Sequence, residues 1–496
     1  MASIKTFIAV LVIITGYIVT GRAQTVDTEP HLAGNRNLPE REEWLRDRGF
    51  GMFIHFSHDA QLGTVISHSV VGASKDYLDR YFNELPQSFN PYKFDADRLA
   101  GLAKLAGMKY VVFTTKHHNG FCFWDTKTTD FSIMNTPYGK DLLAELIGGF
   151  RRAGLGIGLY YSPEDFWFLY ENDVIIRRKE VEMDEKTRRK YDRFIEKQTE
   201  ELFSNYGKID VLFIDSEMKE VCMETAYRIQ PELVITRGAV ITPEQYIPGL
   251  AMDWLWESNA TMGTQWNYKP TNDDVKSGAK LIELLIEARA KGGNFLLNVG
   301  PHPEGNLPYE YETELREVAA WYFINHEAIE NVRPWIMPNE ENIWFTASKD
   351  RKSVYAAIID HDVWPRCERR EFVLGSVEAT VDTRISVLGQ NDLVCEYNPD
   401  ADPESRFEQK EDGLHISIMR AQRIYNNHKW PNPVVVKLEN VKPALEPLSV
   451  ETHEAVINDN SFVDIEARQS NQRVPENYNL SGGVRQNWPR IKSFSP

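Results

Sequence analysis

At 496 residues the chain is far longer than one small core requires, and length alone points to two or three domains, one of which can be a large α/β barrel. Its hydrophobic content of 42% is enough for a packed interior. A net charge of -17 argues against a nucleic-acid backbone or an anionic membrane surface as the main partner.

Residues 1–23 read as a secretory signal. Lys5 supplies the positive start, 7–19 the apolar stretch, and Gly21-Arg22-Ala23 a small-residue cleavage site. The apolar run is short of the ~20 residues of a membrane span, so the expected location is secreted, periplasmic or lysosome-like. Export permits disulfides. Of the four cysteines, Cys367 and Cys395 are candidates to pair within one domain, whereas Cys122 is expected to pack as a thiol. The absence of any C-x-x-C argues against a zinc ribbon. Asn259 and Asn479 open glycosylation triplets, but Asn259 lies too near the candidate site for ready use.

After a polar leader to Pro39, helix-like stretches are predicted at 40–47, 95–106, 141–153, 192–206, 218–229, 276–291 and 310–331. Several open on Asp, a good N-cap, and Gly107, Gly154 and Gly207 stand where helices should stop. Between them run short apolar segments: 51–56, 110–115, 156–161, 211–214, 233–236, 253–256 and 295–297. Alternation of this kind implies a parallel sheet, and the expected fold is α/β, a (β/α) TIM-like barrel over 24–338. The segment 166–190, aromatic and then charged, reads as an inserted loop. Beyond Trp335 the texture turns β-branched, with strands expected at 354–359, 371–374, 377–381, 384–387, 414–418 and 434–438. These predict a C-terminal β-sandwich over 339–446, followed by a polar tail over 447–496.

Each apolar run ends in a polar or ionisable group: His55; Lys116, His117 and His118; Tyr160; Asp215; Arg237; Glu257; Asn298. Strand C-termini of a parallel barrel open onto one face, where chemistry sits. Asp215, at the end of an apolar run, suits a rigidly held nucleophile or, alternatively, a helix N-cap. Glu257, 42 residues later, is the candidate acid, with Glu164, Glu217 and Glu220 as rivals. Two carboxyl groups flanking one bond suit a glycosidase. Imidazoles at 55, 117 and 118 can bond sugar hydroxyls, Arg237 can donate to a carboxylate or a sugar oxygen, and Trp124 and Trp266 are candidate stacking platforms. His58 and His68 are expected to be structural. The pattern lacks metal-binding spacing, and no metal or organic cofactor is expected.

Lys116-His-His-Asn-Gly-Phe121, Tyr206-Gly-Lys-Ile-Asp210 leading to Asp215, Trp256-Glu257 and Lys291-Gly-Gly-Asn-Phe-Leu-Leu-Asn-Val-Gly-Pro301 resemble the α-L-fucosidases of glycoside hydrolase family 29. Gly51-Met-Phe-Ile-His55 and Asn331-Val-Arg-Pro-Trp335 add to the resemblance, which spans roughly 40–340. It implies a barrel with a β-sandwich and a retaining double displacement. Asp215 would be the nucleophile, and His55, His117, His118, Tyr160 and Arg237 would hold the fucose. Glu257 matches the acid/base of some members. Phe56-Ser57, Asn119 and Ser216 depart from residues many members carry. The expected activity is a retaining exo-α-L-fucosidase acting on fucosylated oligosaccharides or glycoconjugates. A fucose-binding protein without catalysis, or a glycosidase for a related sugar such as α-L-galactose, remains an alternative. Linkage and oligomeric state stay open.

Overall fold

The computed structural model describes residues 32–445 apart from 33, 179–180, 217, 250, 360–363 and 426–430. The expected signal and tail, Glu217 and Asn479 thus lie outside the described residues. The N-terminal part alternates helices and strands: α1 (Pro39–Arg48), β1 (Phe50–Ile54), α2 (Lys75–Asp79), α3 (Ala96–Leu105), β2 (Tyr110–Lys116), α4 (Leu142–Arg152), β3 (Gly156–Tyr161), α5 (Phe166–Glu171), α6 (Glu185–Asn205), β4 (Val211–Ile214), α7 (Glu220–Ile229), β5 (Val234–Ile235), β6 (Glu257–Thr261), α8 (Gly278–Ala290), β7 (Asn294–Val299) and α9 (Tyr309–Asn325). The strands form one curled parallel sheet in the order β5-β4-β3-β2-β1-β7-β6. In place of an eighth strand, the chain between β5 and β6 closes the ring by isolated parallel bridges, Ile241 to Trp256 and Glu244 to Asn259. Every residue of β1, β2, β4, β6 and β7 is buried, as expected of parallel strands covered on both faces.

Local chemistry accounts for the helix ends. Asp95, Asp141, Asp165, Asp184 and Ser277 each accept a backbone N–H from the first turn of the helix that follows. Gly107, Gly154 and Gly207 take positive φ just beyond α3, α4 and α6.

Two expectations along the barrel need correction. The segment 166–190 is not simply a loop: Asp165 caps the aromatic run as α5, and Asp184 caps α6, which begins at Glu185 rather than at 192. Its charged residues are the solvent face of a helix that buries Tyr191, Ile195 and Leu202. The apolar run 253–256 is not the strand either; β6 begins where that run ends, at Glu257. The strand itself reads Glu-Ser-Asn-Ala-Thr, so hydrophobicity marks the wrong segment.

The C-terminal strands are β8 (Val332–Glu340), β9 (Ile343–Ser348), β10 (Ser353–Ile358), β11 (Arg369–Leu374), β12 (Val377–Val387), β13 (Arg406–Lys410), β14 (Gly413–Met419) and β15 (Val434–Pro443). They make two antiparallel sheets, β12-β15-β10-β9-β8 and β11-β14-β13, around a core that includes Trp335, Phe345, Leu374, Ile416 and Val436. The two segments expected at 377–381 and 384–387 are one strand with an irregularity between Ala379 and Arg384. β13, exposed throughout, carries no apolar signal. Cys367 and Cys395 are bonded, and Cys122 and Cys222 are buried thiols. The sheets dock on the barrel where the Trp321 indole donates to the Pro433 carbonyl at 2.8 Å and the Thr346 hydroxyl donates to the Ala328 carbonyl at 2.8 Å.

Candidate active site

The C-terminal strand ends converge on a cavity of about 130 Å³, well below the ~300–1,000 Å³ of drug-sized sites and suited to one small polar ring. Its polar wall carries His55, His68, His117, His118, Tyr160, Arg178, Asp215, Arg237, Glu244 and Asn259, and its apolar wall Phe53, Ile66, Phe213 and Trp266.

Asp215 follows the last residue of β4. The Tyr160 hydroxyl donates to its Oδ2 at 2.7 Å, His118 Nε2 stands 3.5 Å from the same oxygen, and Arg237 Nε lies 3.6 Å from Oδ1. Burial alone would raise this carboxyl. The Arg237 charge and the Tyr160 hydrogen bond outweigh it and hold the group well below the usual carboxylate range. Asp215 is therefore an anion, with Oδ2 tethered and Oδ1 more open. Arg237 Nη1 also donates to Glu244 Oε2 at 2.9 Å, so one guanidinium links two carboxylates.

The imidazoles are set by groups behind them. Asn298 Nδ2 donates to the Trp266 carbonyl at 2.8 Å, which leaves its Oδ1 to accept from His55 Nδ1 at 2.7 Å. His55 Nε2 is then an acceptor. The Ser67 hydroxyl oxygen accepts from the Asn119 backbone N–H at 3.0 Å and stands 2.7 Å from His117 Nδ1. The hydroxyl thereby pins the His117 ring at Nδ1. Ser162 Oγ lies 2.6 Å from His118 Nδ1 and donates to the Glu164 carbonyl at 3.1 Å, and His118 Nε2 faces Asp215. Burial keeps all three rings neutral, lowering His55 to about 4 and His118 to about 3, and pushing His117 well down as well.

The structure thus brings together His55, His117, His118, Tyr160, Asp215, Arg237 and Trp266, whose ring lies 4.9 Å from that of His55. It does not bring Glu257 or Trp124 there. Glu257 opens β6 and pairs in register with Asn294 at the start of β7, so it sits at the opposite end of the barrel. It is fully buried and accepts from the Tyr110 hydroxyl, and burial raises its carboxyl to about 7. Trp124 is a core residue whose indole donates to Glu201 at 2.9 Å. Of the rival acids, Glu164 is buried beside Arg178 at 2.7 Å, and Glu220 is exposed at the start of α7. His58 is structural, with burial lowering it to about 3.

Sequence reading missed Glu244, Arg178 and Asn259 as wall residues and took His68 as structural. Glu244 and Arg178 lie just past the short apolar runs 239–241 and 174–176, neither of which forms a regular strand, and the sequence reading took neither run as a strand end. Asn259 is 1% exposed, which rules out its glycosylation in the folded protein. Two of the sequence departures meet behind the pocket, where Asn119 Nδ2 donates to Ser57 Oγ at 2.7 Å. His117, His118 and Asp215 bring possible metal-ligand atoms within 4.8 Å of one another. The Arg237 guanidinium beside Asp215 opposes a cation there.

The family model described as Alpha-L-fucosidase matches residues 19–327. The chain is 29% identical over 418 residues to the tissue alpha-L-fucosidase of Bos taurus, covering 74% of this chain and 83% of that one. With the alpha-L-fucosidase of Dictyostelium discoideum the figures are 28% over 362 residues, 64% and 77%. Among solved structures, alpha-L-fucosidase isoenzyme 1 from Paenibacillus thiaminolyticus superposes with a TM-score of 0.65 at 27% identity, covering 81% of this chain and 99% of that one.

Proposed function

The chain belongs to the α-L-fucosidase family of glycoside hydrolases, and on that footing we propose that it is a retaining exo-enzyme that removes terminal α-L-fucose from oligosaccharides or glycoconjugates. The observation that carries this reading is the linkage of Asp215 and Glu244 through Arg237 over a cavity the size of one sugar. Asp215 Oδ1, the oxygen without a hydroxyl tether, attacks the anomeric carbon. The Glu244 carboxyl, in place of Glu257, protonates the departing oxygen and then takes a proton from the water that releases the sugar. Retention needs carboxyl groups ~5–5.5 Å apart, and the shared contact with Arg237 draws Asp215 and Glu244 into one site. His55 Nε2 accepts from one sugar hydroxyl, and His117 bonds another. Phe53, Ile66, Phe213 and Trp266 offer an apolar wall for the methyl group at C6, which favours fucose over L-galactose with its hydroxymethyl.

The proposed enzyme is an exported one, a reading supported by the Cys367–Cys395 bond. No helix among the described residues is long and apolar enough to cross a membrane.

The test is turnover of nitrophenyl α-L-fucoside with the first-released anomer followed by NMR. Release of α-L-fucose supports the double displacement. Release of the β anomer overturns it, and preference for the α-L-galactoside overturns the sugar assignment.

A further inference from the structure

Asn259 is the third residue of β6, 1% exposed, and lines the sugar cavity. Its backbone N–H donates to the Pro243 carbonyl at 3.0 Å, and its own carbonyl accepts from the Gln245 N–H at 2.8 Å. Its Nδ2 adds a second bond to Pro243 O at 3.2 Å. These contacts straddle Glu244 and hold its backbone against the strand. They also fix the amide: Pro243 O can face only a donor, so Nδ2 must point there and Oδ1 cannot exchange with it. Oδ1 then has no hydrogen-bond partner among the described residues. Thr236 Oγ1, Thr242 Oγ1, Gln265 Oε1 and Asn267 Oδ1 share that state, but none of those residues lines the cavity. A buried acceptor held rigidly at a binding pocket is satisfied when a donor arrives.

We propose that Asn259 is a specificity-determining residue: its side-chain oxygen accepts a hydrogen bond from one ring hydroxyl of the terminal sugar. The inference rests on the fucosidase reading and deepens it. The Tyr160 hydroxyl is already engaged with Asp215, whereas Asn259 Oδ1 and His55 Nε2 are neutral acceptors on the cavity wall. A site built around such an acceptor rejects the analogue that lacks the donor, because the acceptor is then left buried and unpaired.

The experiment is a cycle. kcat/KM is measured for nitrophenyl α-L-fucoside and its 2-, 3- and 4-deoxy analogues, with wild type, Asn259→Leu, which removes the acceptor at similar volume, and Asn259→Ala, in case leucine is not accommodated. Calorimetric binding of L-fucose and the matching deoxy-fucoses gives a readout independent of turnover. The expected result is that one deoxy analogue loses ~10²-fold in wild type, the variant loses a similar factor on the parent, and the two losses do not multiply. Deoxy penalties at every position that are unchanged in both variants would overturn the proposal and leave Asn259 a brace for the Glu244 backbone, or the host of an ordered water. A wild type that cleaves the fucoside while the losses multiply fails only this inference. A wild type that neither binds fucose nor cleaves any fucoside fails the reading beneath it, and this inference with it.

Discussion

Asp215 and Glu257 are carboxylic acids on parallel strands of one barrel, yet they lie at opposite ends and their carboxyls are shifted in opposite directions. At the mouth, Arg237 and the Tyr160 hydroxyl hold Asp215 ionised in spite of burial. At the floor, Glu257 has no cation among its shift-lowering partners, and burial takes it up to about 7. A raised carboxyl is often the mark of a general acid. Here the carboxyl with that mark is buried at the far end of β6, and the second carboxylate at the cavity is Glu244. Access and the donors around a group decide its role; burial by itself does not.

The largest expected effect separates the two ends outright. Asp215→Ala should lower kcat/KM on nitrophenyl α-L-fucoside by ~10³-fold or more, since in the proposed double displacement Glu244 is committed to proton transfer and does not replace the nucleophile. Equal activity would erase the contrast. Next, Glu244→Gln should cost ~10²–10⁴-fold with a poor leaving group and far less with dinitrophenyl, whose departure needs no proton. Glu257→Gln should stay within a few-fold of wild type on both substrates. The reverse pattern would return the acid role to the floor.

Smaller effects sharpen the comparison through pH. Glu257 is raised from 4.5 to about 7, so the native state binds more protons than the unfolded chain between those values, and its contribution to stability is lost as pH rises through that window. Thermal melts of Glu257→Gln should therefore gain on wild type from pH 5 to pH 8. At the mouth the sign is opposite. His55 and His118 are lowered from 6.5 to about 4 and about 3, so their contribution is complete above 6.5 and is lost as pH falls toward those values. Melting of wild type should weaken on acidification in that range. The pH profile of kcat/KM should also lack an imidazole limb near 6.5.

The mouth was largely legible because its residues obey a local rule. His55, His117, His118, Tyr160, Asp215 and Arg237 stand at or within a few residues of strand C-termini, and an apolar run marks each strand. Glu257 broke that rule in a physically informative way. Leu255 and Trp256 are buried without forming a strand, and the true strand is polar, with Ser258 Oγ donating to the Tyr246 carbonyl and Asn259 Nδ2 to that of Pro243. Reading the run as the strand moved the acid from the start of β6 to its end.

The sequence by itself determined the alternation of helices and strands, the caps and stops, the sandwich texture and the strand that ends at Asp215, because each depends on near neighbours in the chain. Only the tertiary structure decided which end of the barrel a residue faces, which carboxylate shares Arg237 with Asp215, and which buried oxygen is left unpaired at the cavity. Those outcomes depend on strand register and on bonds between segments far apart in the chain, such as Ser67 to His117, and no local pattern records them.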